Sequence, residues 1–226
     1  AGFLGGRRTD GMLFTTDLID FGSHAKTGTT AQIPGCCSSS TITQSTVNPT
    51  VNATSLGSYQ YVAWGDWNGE IQRPSLDSTP VSASAKWVYG RTTAFDQVPK
   101  SGSATYRGEV SGVGSNGEKI GGDIALLARF GKETLWNGPD IEWQANFKRA
   151  NGSAWLTVAE SPVPFSNGMF GSSWGGFAKT PTGEPMPNVF GHITGRLYGT
   201  QGQEIAGVWS VQNVPGTISY ANGVFR

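Results

Sequence analysis

The residues best suited to nucleophilic chemistry lie in the segment Gly171-Ser-Ser-Trp-Gly175. This segment matches the G-x-S-x-G pattern of serine hydrolases, and Glu184 and His192 follow it in the order of acid and then histidine that this enzyme class uses. The mechanism requires Ser173 to lie on a turn between a strand and a helix, above a parallel sheet. No helical pattern follows Ser173, so we interpret the segment as part of a glycine-rich strand. A hydrolase that uses Ser173 and His192 stays an alternative.

Another glycine-rich segment, Gly112-Val-Gly-Ser-Asn-Gly117, matches the letters of the dinucleotide-binding fingerprint. That fingerprint binds a pyrophosphate only when a strand precedes it and a helix follows it. Here alternating apolar and polar residues lie on both sides, with Ser-Asn-Gly at the bend. The pattern therefore predicts a hairpin turn between two strands rather than a cofactor site.

The two cysteines, Cys36 and Cys37, are adjacent and cannot join distant segments of the chain. Their spacing fits neither a zinc site nor a redox Cys-x-x-Cys pair. Three states remain open for them: a vicinal disulfide, two free thiols, or pairing with another molecule. We predict no metal site.

The composition argues against several classes of partner. Charged residues make up 14% of the 226 residues and the formal net charge is zero, so no electrostatic signal indicates nucleic acid, an anionic membrane or an acidic substrate. No stretch reaches the roughly 18 apolar residues of a membrane-spanning helix, and no signal peptide opens the chain. We therefore expect a soluble chain from which any export signal has been removed.

The balance of residue types favours strands. The chain has 33 glycines and 11% aromatic residues but few lysines and glutamates, which disfavours long surface helices and suits strands joined by tight turns. The expected class is all-β, in three zones. Residues 1–58 predict an extended or irregular arm, residues 59–100 a β-rich segment with strand-like runs at 59–64 and 86–89, and residues 101–226 a regular succession of short strands.

Alternation of apolar and polar residues is clearest in the third zone, where we count about eight strand segments. They span residues 104–113, 122–130, 141–148, 154–159, 169–178, 189–198, 204–212 and 218–225. One open sheet with a single apolar face would leave two unpaired edges, and closure removes both. We predict an eight-stranded antiparallel up-and-down β-barrel whose interior is filled by side chains.

Several motifs resemble those of one bacterial family. The segment Ser101-Gly-Ser-Ala-Thr-Tyr-Arg-Gly108 resembles the opening strand of transferrin-binding-protein-B-like barrels. Gly195-Arg-Leu-Tyr-Gly199, followed by Glu204-Ile-Ala-Gly207, resembles their penultimate hairpin, and Gly223-Val-Phe225 resembles their closing strand. Tyr61-Val-Ala-Trp-Gly65 resembles a run that precedes the barrel. The resemblance covers residues 59–226 and does not extend to residues 1–58.

The resemblance implies a non-enzymatic binding protein of a Gram-negative bacterium that is secreted, periplasmic or displayed at the outer-membrane surface. In this family, which includes haem-binding members similar to hemophilin, the barrel is mostly scaffold, and the loops and the preceding N-terminal region choose the ligand. We therefore expect a protein partner or haem. For haem, His24 and His192 are the candidate axial ligands, because imidazole commonly ligates haem iron. His192 is out of phase with Ile193 and Leu197, which predicts that it faces outward.

A structural role is the other alternative. A polar, β-capable arm over residues 1–58 could complete the sheet edge of a neighbouring copy, because an unpaired strand offers free backbone donors and acceptors. The chain would then be a subunit of an extracellular or envelope assembly that joins through its N-terminal arm.

Overall fold

The computed structural model describes residues 2–8, 13–18, 32–34, 41–43, 54–71, 79, 81–131 and 138–226. The chain divides into two compact units, Ala1–Arg91 and Thr92–Arg226. Regular structure in the described residues is β-strand, apart from one turn of 3₁₀ helix at Phe95–Gln97. The predicted all-β class is confirmed.

The first unit is built around one antiparallel sheet. Its strands are β1 Gly2–Arg8, β2 Leu13–Leu18, β3 Gln32–Pro34, β4 Thr41–Thr43, β5 Thr54–Ser58, β6 Val62–Ile71 and β7 Val81–Gly90. The sheet has the order β2-β1-β7-β6-β5, and β3 pairs with β4 separately. Strands β1 and β2 come from the segment expected to be an arm, and β1 pairs with β7 along its whole length. The division of the chain at residue 58 and self-assembly through the arm stay predictions.

Two tryptophans pack in the middle of this sheet. Trp64 of β6 and Trp87 of β7 are buried, as is Val88. The indole N–H of Trp87 donates a hydrogen bond of 3.0 Å to the backbone oxygen of Asp66, and the Lys86 ammonium pairs with the Asp66 carboxylate. Strands β6 and β7 are thus joined by side chains as well as by their backbone ladder.

The second unit holds the remaining strands. They are β8 Ser103–Gly114, β9 Lys119–Arg129, β10 Asp140–Arg149, β11 Ala154–Ser166, β12 Met169–Gly175, β13 Ala178–Lys179, β14 Phe190–Tyr198, β15 Glu204–Gln212 and β16 Tyr220–Phe225. Pairing runs in a ring through β8, β9, β10, β11, β12, β14, β15 and β16 and back to β8, always antiparallel. The short strand β13 adds to β11. The predicted eight-stranded up-and-down barrel is confirmed.

The barrel closes where its first strand meets its last. The backbone N–H of Glu109 donates to the Arg226 oxygen at 2.8 Å, and the N–H of Arg226 donates to the Glu109 oxygen at 3.1 Å. Gly112 of β8 lies opposite Gly223 of β16. A Cβ atom on Gly112 would lie 2.5 Å from Cζ2 of the buried Trp209, so only glycine lets the indole lie against this strand.

Inward side chains fill the barrel. Burial alternates along β9 and β10, as the sequence pattern predicts. The rings of Phe147 and Trp209 have their centroids 4.6 Å apart, and those of Phe170 and Phe225 lie 6.1 Å apart. The Trp209 indole N–H donates to a backbone oxygen of β16, so its burial leaves no unpaired donor. These residues belong to one continuous hydrophobic cluster.

The segment from Gly112 to Gly117 forms the predicted hairpin turn. Strand β8 ends at Gly114, and the N–H of Gly117 donates to the Gly114 oxygen at 2.9 Å. Gly117 has a φ of 81°, which favours glycine, and the Asn116 side chain accepts a hydrogen bond from the backbone N–H of Glu118 at 3.0 Å. The structure places no helix after this glycine-rich segment.

Candidate functional site

Strand β11 is irregular over the segment Glu160-Ser-Pro-Val-Pro164. A register shift against β10 next to Glu160 marks a β-bulge. Pro162 and Pro164 have no backbone N–H to donate to a neighbouring strand. Strand β11 pairs with β12 at its last two residues, Phe165 and Ser166. We call the stretch where residues 160–164 of β11 face residues 171–175 of β12 the seam.

Glu160 bridges three strands at the seam. The buried Trp143 of β10 donates its indole N–H to one carboxylate oxygen of Glu160 at 3.0 Å. The hydroxyl of Ser172 of β12 donates to the other oxygen. Hydrogen bonds to an ionised carboxylate are stronger than neutral ones. The side chain of Glu160 therefore joins β11 to β12 where the backbone ladder is interrupted.

A groove with a volume of about 470 Å³ lies on the wall of the barrel beside the bulge. It crosses strands β8 to β11. Its lining residues are Thr105, Ala125, Leu126, Leu127, Glu142, Trp143, Gln144, Ala159, Glu160 and Pro162. Ala125, Gln144 and Ala159 are register neighbours on three adjacent strands, so short alanine side chains lie on both sides of the glutamine. The depth of the groove follows from these small outward residues.

The groove combines an apolar floor with acidic and amide groups. Ala125, Leu127, Ala159 and Pro162 supply aliphatic surface. Gln144 and Glu142 supply outward polar side chains, whereas the Glu160 carboxylate lies on the inner face with Trp143 and Ser172. The groove therefore combines aliphatic surface with hydrogen-bonding groups.

One end of the groove carries an excess of carboxylates. The Arg129 guanidinium donates from Nε to the buried Asp140 carboxylate at 2.8 Å and from Nη2 to Glu142 at 3.2 Å. Asp140 is 1% exposed, whereas the Glu142 side chain is 51% exposed. A single guanidinium therefore serves two carboxylates, and the exposed one lines the groove.

The other end is bounded by a polar ladder on the same outward face. Asn146 donates to the Asp123 carboxylate at 2.7 Å, and Thr157 donates to the Asn146 oxygen at 3.1 Å. The hydrogen bond from Asn146 is the main cause that lowers the pKa of Asp123, against desolvation and with help from Lys148. This ladder fixes β9, β10 and β11 relative to one another, so the groove has a rigid wall.

His192 lies on the outward face of β14, in agreement with its predicted phase. Its register neighbours are Ser173 on β12 and Ser210 on β15. Partial burial lowers the pKa of the His192 imidazole, opposed by its hydrogen bond to the Ser172 backbone. The imidazole is therefore mainly neutral at pH 7.

Ser173 lies inside strand β12, directly across from His192 on β14. The next element along the chain is the strand β13, so Gly171 to Gly175 is not the strand-to-helix turn of a nucleophile elbow. Glu184, the acid that follows in sequence, lies exposed in the loop between β13 and β14. The interpretation of this segment as a glycine-rich strand agrees with the structure.

Three candidate residues, His24, Cys36 and Cys37, lie outside the described residues. Within the part of the chain that is described, no group of three or more His, Cys, Asp or Glu side chains is placed to hold a metal ion. A search of the same residues finds no helix with the length and apolar character needed to span a bilayer.

Sequence reasoning did not identify the groove, because its residues come from four strands and meet only through their register. Two local signals point toward it. Pro162 and Pro164 are spaced by two, which removes two backbone donors from one strand. Ala125 and Ala159 occupy outward positions where longer polar side chains are usual. Neither signal specifies a groove without the strand register.

No protein-family model and no curated protein matches this sequence. Solved structures do match. A double mutant of transferrin binding protein B from Haemophilus parasuis is 15% identical with a TM-score of 0.48, and the match covers 99% of this chain and 44% of that one. An intact transferrin binding protein B with N and C lobes is 13% identical with a TM-score of 0.47, over 99% of this chain and 45% of that one.

A surface lipoprotein is 11% identical with a TM-score of 0.42, over 100% of this chain and 98% of that one. This chain spans less than half the length of the two transferrin binding proteins. The similarity concerns the fold.

Proposed function

We propose that this chain is a non-enzymatic binding protein, secreted or displayed at the cell surface, whose barrel is a scaffold and whose outer surface recognises a protein partner. The observation that carries this proposal is the contrast between the two sides of the barrel wall. The inside is occupied by the hydrophobic cluster, whereas the outside of β8 to β11 has a groove of about 470 Å³. A ligand therefore binds on the wall and not within the barrel.

The sequence motifs support the same function. Three segments of the barrel, at residues 101–108, 195–207 and 223–225, resemble the transferrin-binding-protein-B-like family. Members of that family bind host molecules, with a barrel as scaffold and the loops and the preceding N-terminal region choosing the ligand. By this resemblance, the partner is a protein of the host, and the compartment is the outer-membrane surface or the medium.

Two alanine-to-arginine variants on the same strand test this proposal. Ala159→Arg fills the groove with a long side chain, whereas Ala154→Arg places the same residue at an exposed position outside the groove lining. The immobilised full chain is incubated with serum, and bound proteins are quantified by mass spectrometry. We expect at least one serum protein to bind the wild type and Ala154→Arg equally and to lose about tenfold or more in affinity with Ala159→Arg. No bound protein, or equal binding by both variants, would contradict the proposal.

Haem binding at His192 is the second candidate. A neutral imidazole held by a backbone hydrogen bond is oriented as metal-ligating histidines commonly are. Phe190, two residues earlier on the same face, is 50% exposed, and its ring lies over Gly175, where a Cβ atom would come within 2.7 Å of it. An exposed ring beside an imidazole offers a surface for a flat macrocycle, which would contribute redox-active iron with His192 as an axial ligand.

Adding haemin to the full chain tests this candidate. Ligation predicts a shift of the Soret band that His192→Ala abolishes, and His24→Ala tests the second axial position. A Soret band that stays at the position of free haemin, or the same shift in His192→Ala, would dismiss His192 as a ligand.

A further inference from the structure

We infer that Met169 is a site of oxidation that the fold accepts, and that the Arg196 guanidinium binds the sulfoxide oxygen formed there. The oxidant is a peroxide, and hydrogen peroxide is the simplest member of that class. The inference concerns the barrel alone and goes beyond the proposed function. It starts from a contact between these two side chains on the outer wall of the barrel.

Met169 and Arg196 lie side by side on neighbouring strands. They are register partners on β12 and β14, and Phe170, the next residue of β12, is buried in the hydrophobic cluster. Because the side chains of a strand alternate between its two faces, Met169 faces outward. The residue is half-buried, so part of it is open to solvent.

The contact joins a strong donor to a weak acceptor. Nη2 of Arg196 lies 2.9 Å from Sδ of Met169, so a guanidinium donates to a thioether sulfur. A sulfoxide oxygen carries more negative charge than a thioether sulfur, and it accepts a charge-assisted hydrogen bond from a guanidinium. Oxidation therefore replaces a weak interaction by a stronger one, once a small rotation of the two side chains makes room for the oxygen.

The reaction adds one oxygen atom to the sulfur. A lone pair of Sδ attacks one oxygen of hydrogen peroxide, and the S–O bond forms as the O–O bond breaks. The other oxygen leaves with both protons as water. Sulfur loses two electrons and the peroxide gains them. Methionine sulfoxide reductases reverse the change.

Met186 provides the contrast within the described part of the chain. It is also half-buried, but it packs against the hydrophobic cluster. A sulfoxide there would place a strong dipole against apolar side chains, and a polar group in such surroundings destabilises the fold. The two methionines therefore differ in how well the fold tolerates the same added oxygen atom.

Two variants separate the methionines. Met186→Leu leaves Met169 to be oxidised, whereas Met169→Leu leaves Met186, and Met12, Cys36 and Cys37 are common to both. Each full chain is treated with hydrogen peroxide until mass spectrometry of its peptides shows complete conversion. We expect the melting temperature of Met186→Leu to change by less than about 2 °C and that of Met169→Leu to fall by at least about 4 °C.

The role of Arg196 is tested in the Met186→Leu background. Arg196→Leu removes the donor, so oxidation of Met169 should then lower the melting temperature by at least about 2 °C more than in the presence of Arg196. Arg196→Lys keeps a donor and should restore most of the tolerance. Each variant is compared with its own untreated sample, so any loss caused by the substitution itself does not enter the comparison.

NMR of the labelled Arg196 guanidinium in Met186→Leu gives a readout that needs no substitution of Arg196. Its signals should shift on oxidation and return after treatment with methionine sulfoxide reductases. Three results would overturn the inference. They are equal losses of melting temperature after oxidation of Met169 and of Met186, guanidinium signals that do not change on oxidation, and the same response to oxidation with Arg196 and with Arg196→Leu.

Discussion

At the scale of single residues, Glu160 shows how one side chain can hold three strands together. Its two carboxylate oxygens accept hydrogen bonds from Trp143 and Ser172, so β10, β11 and β12 stay together where Pro162 and Pro164 interrupt the ladder. The same residue lines the outer groove. The Glu160 carboxylate faces the inside of the barrel with Trp143 and Ser172, so its contribution is to the stability of the seam.

Removing one donor to Glu160 should weaken the fold measurably. Ser172→Ala deletes a hydrogen bond to a charged group that is partly exposed, and we expect a loss of about 1 kcal/mol in the free energy of unfolding. Ser103→Ala, at an exposed position on β8, is the matched control and should stay within about 0.5 kcal/mol of the wild type. Urea unfolding of both variants measures the difference. Equal stability would mean that the backbone alone holds the seam.

The ionisation of Glu118 predicts that the stability of the fold depends on pH. The hydrogen bonds from Arg149, with further bonds from Asn116 and the Ala150 N–H, lower the pKa of Glu118 to about 2 despite desolvation. Since its ordinary value of 4.5 applies to the unfolded chain, the stabilisation is complete above pH 4.5 and is lost as the pH falls toward 2. Between pH 4.5 and about pH 2, the urea concentration at the midpoint of unfolding should therefore change less for Glu118→Gln than for the wild type.

The matched variant for that titration is Arg149→Gln. It removes the main cause of the shift, so the pKa of Glu118, followed by the NMR signal of its side-chain carboxyl carbon, should move toward the ordinary value. A Glu118 titration that is the same with and without the Arg149 guanidinium would show that another interaction holds the carboxylate ionised.

At the scale of elements, the sequence pattern predicts the barrel strands well and their irregular ends poorly. The predicted segment 189–198 corresponds to β14 Phe190–Tyr198, and the predicted segment 204–212 corresponds to β15 Glu204–Gln212. The predicted segment 154–159 is too short, because β11 continues past two prolines. A proline removes a donor from one edge only, so pairing with β10 persists while pairing with β12 ends.

Closure of the barrel predicts that alanine has very different effects on stability at two glycines of neighbouring strands. Gly112→Ala would place a Cβ atom 2.3 Å from a backbone oxygen of β16 and 2.5 Å from the Trp209 ring, and we expect a loss of about 1–3 kcal/mol from overpacking. At Gly121 a Cβ atom would come no closer than 4.0 Å to its neighbours, so Gly121→Ala should be neutral or slightly stabilising. Thermal unfolding of both variants makes the comparison. Similar melting temperatures would show that β8 and β16 are not packed this closely.

At the scale of the whole molecule, the features that the sequence does not reveal are the non-local ones. Strand β1 pairs with β7, about eighty residues later, and no local pattern specifies such a partner. The groove is non-local for the same reason, since its two alanines belong to β9 and β11 and are brought near each other by β10. The closed barrel could be predicted because sequential strands with one apolar face leave few other ways to remove both edges.

The closed ring also predicts where the barrel opens. Strand β16 and residues 109–114 of β8 are bonded on both edges, so their amide hydrogens should exchange as slowly as those of β9 and β15. Strand β11 pairs with β12 through Phe165 and Ser166, so the alternate amides of β12 that face the seam lie beyond the end of this ladder and should exchange much faster. Hydrogen exchange of the full chain, followed by NMR, makes this comparison. Because Ser172 donates to Glu160 at the seam, Ser172→Ala should accelerate exchange at the seam more than at the junction of β8 and β16. Slow exchange at the seam together with fast exchange in β8 and β16 would mean that the barrel opens between its first and last strands. The bridge through Glu160 would then have no part in keeping the barrel closed.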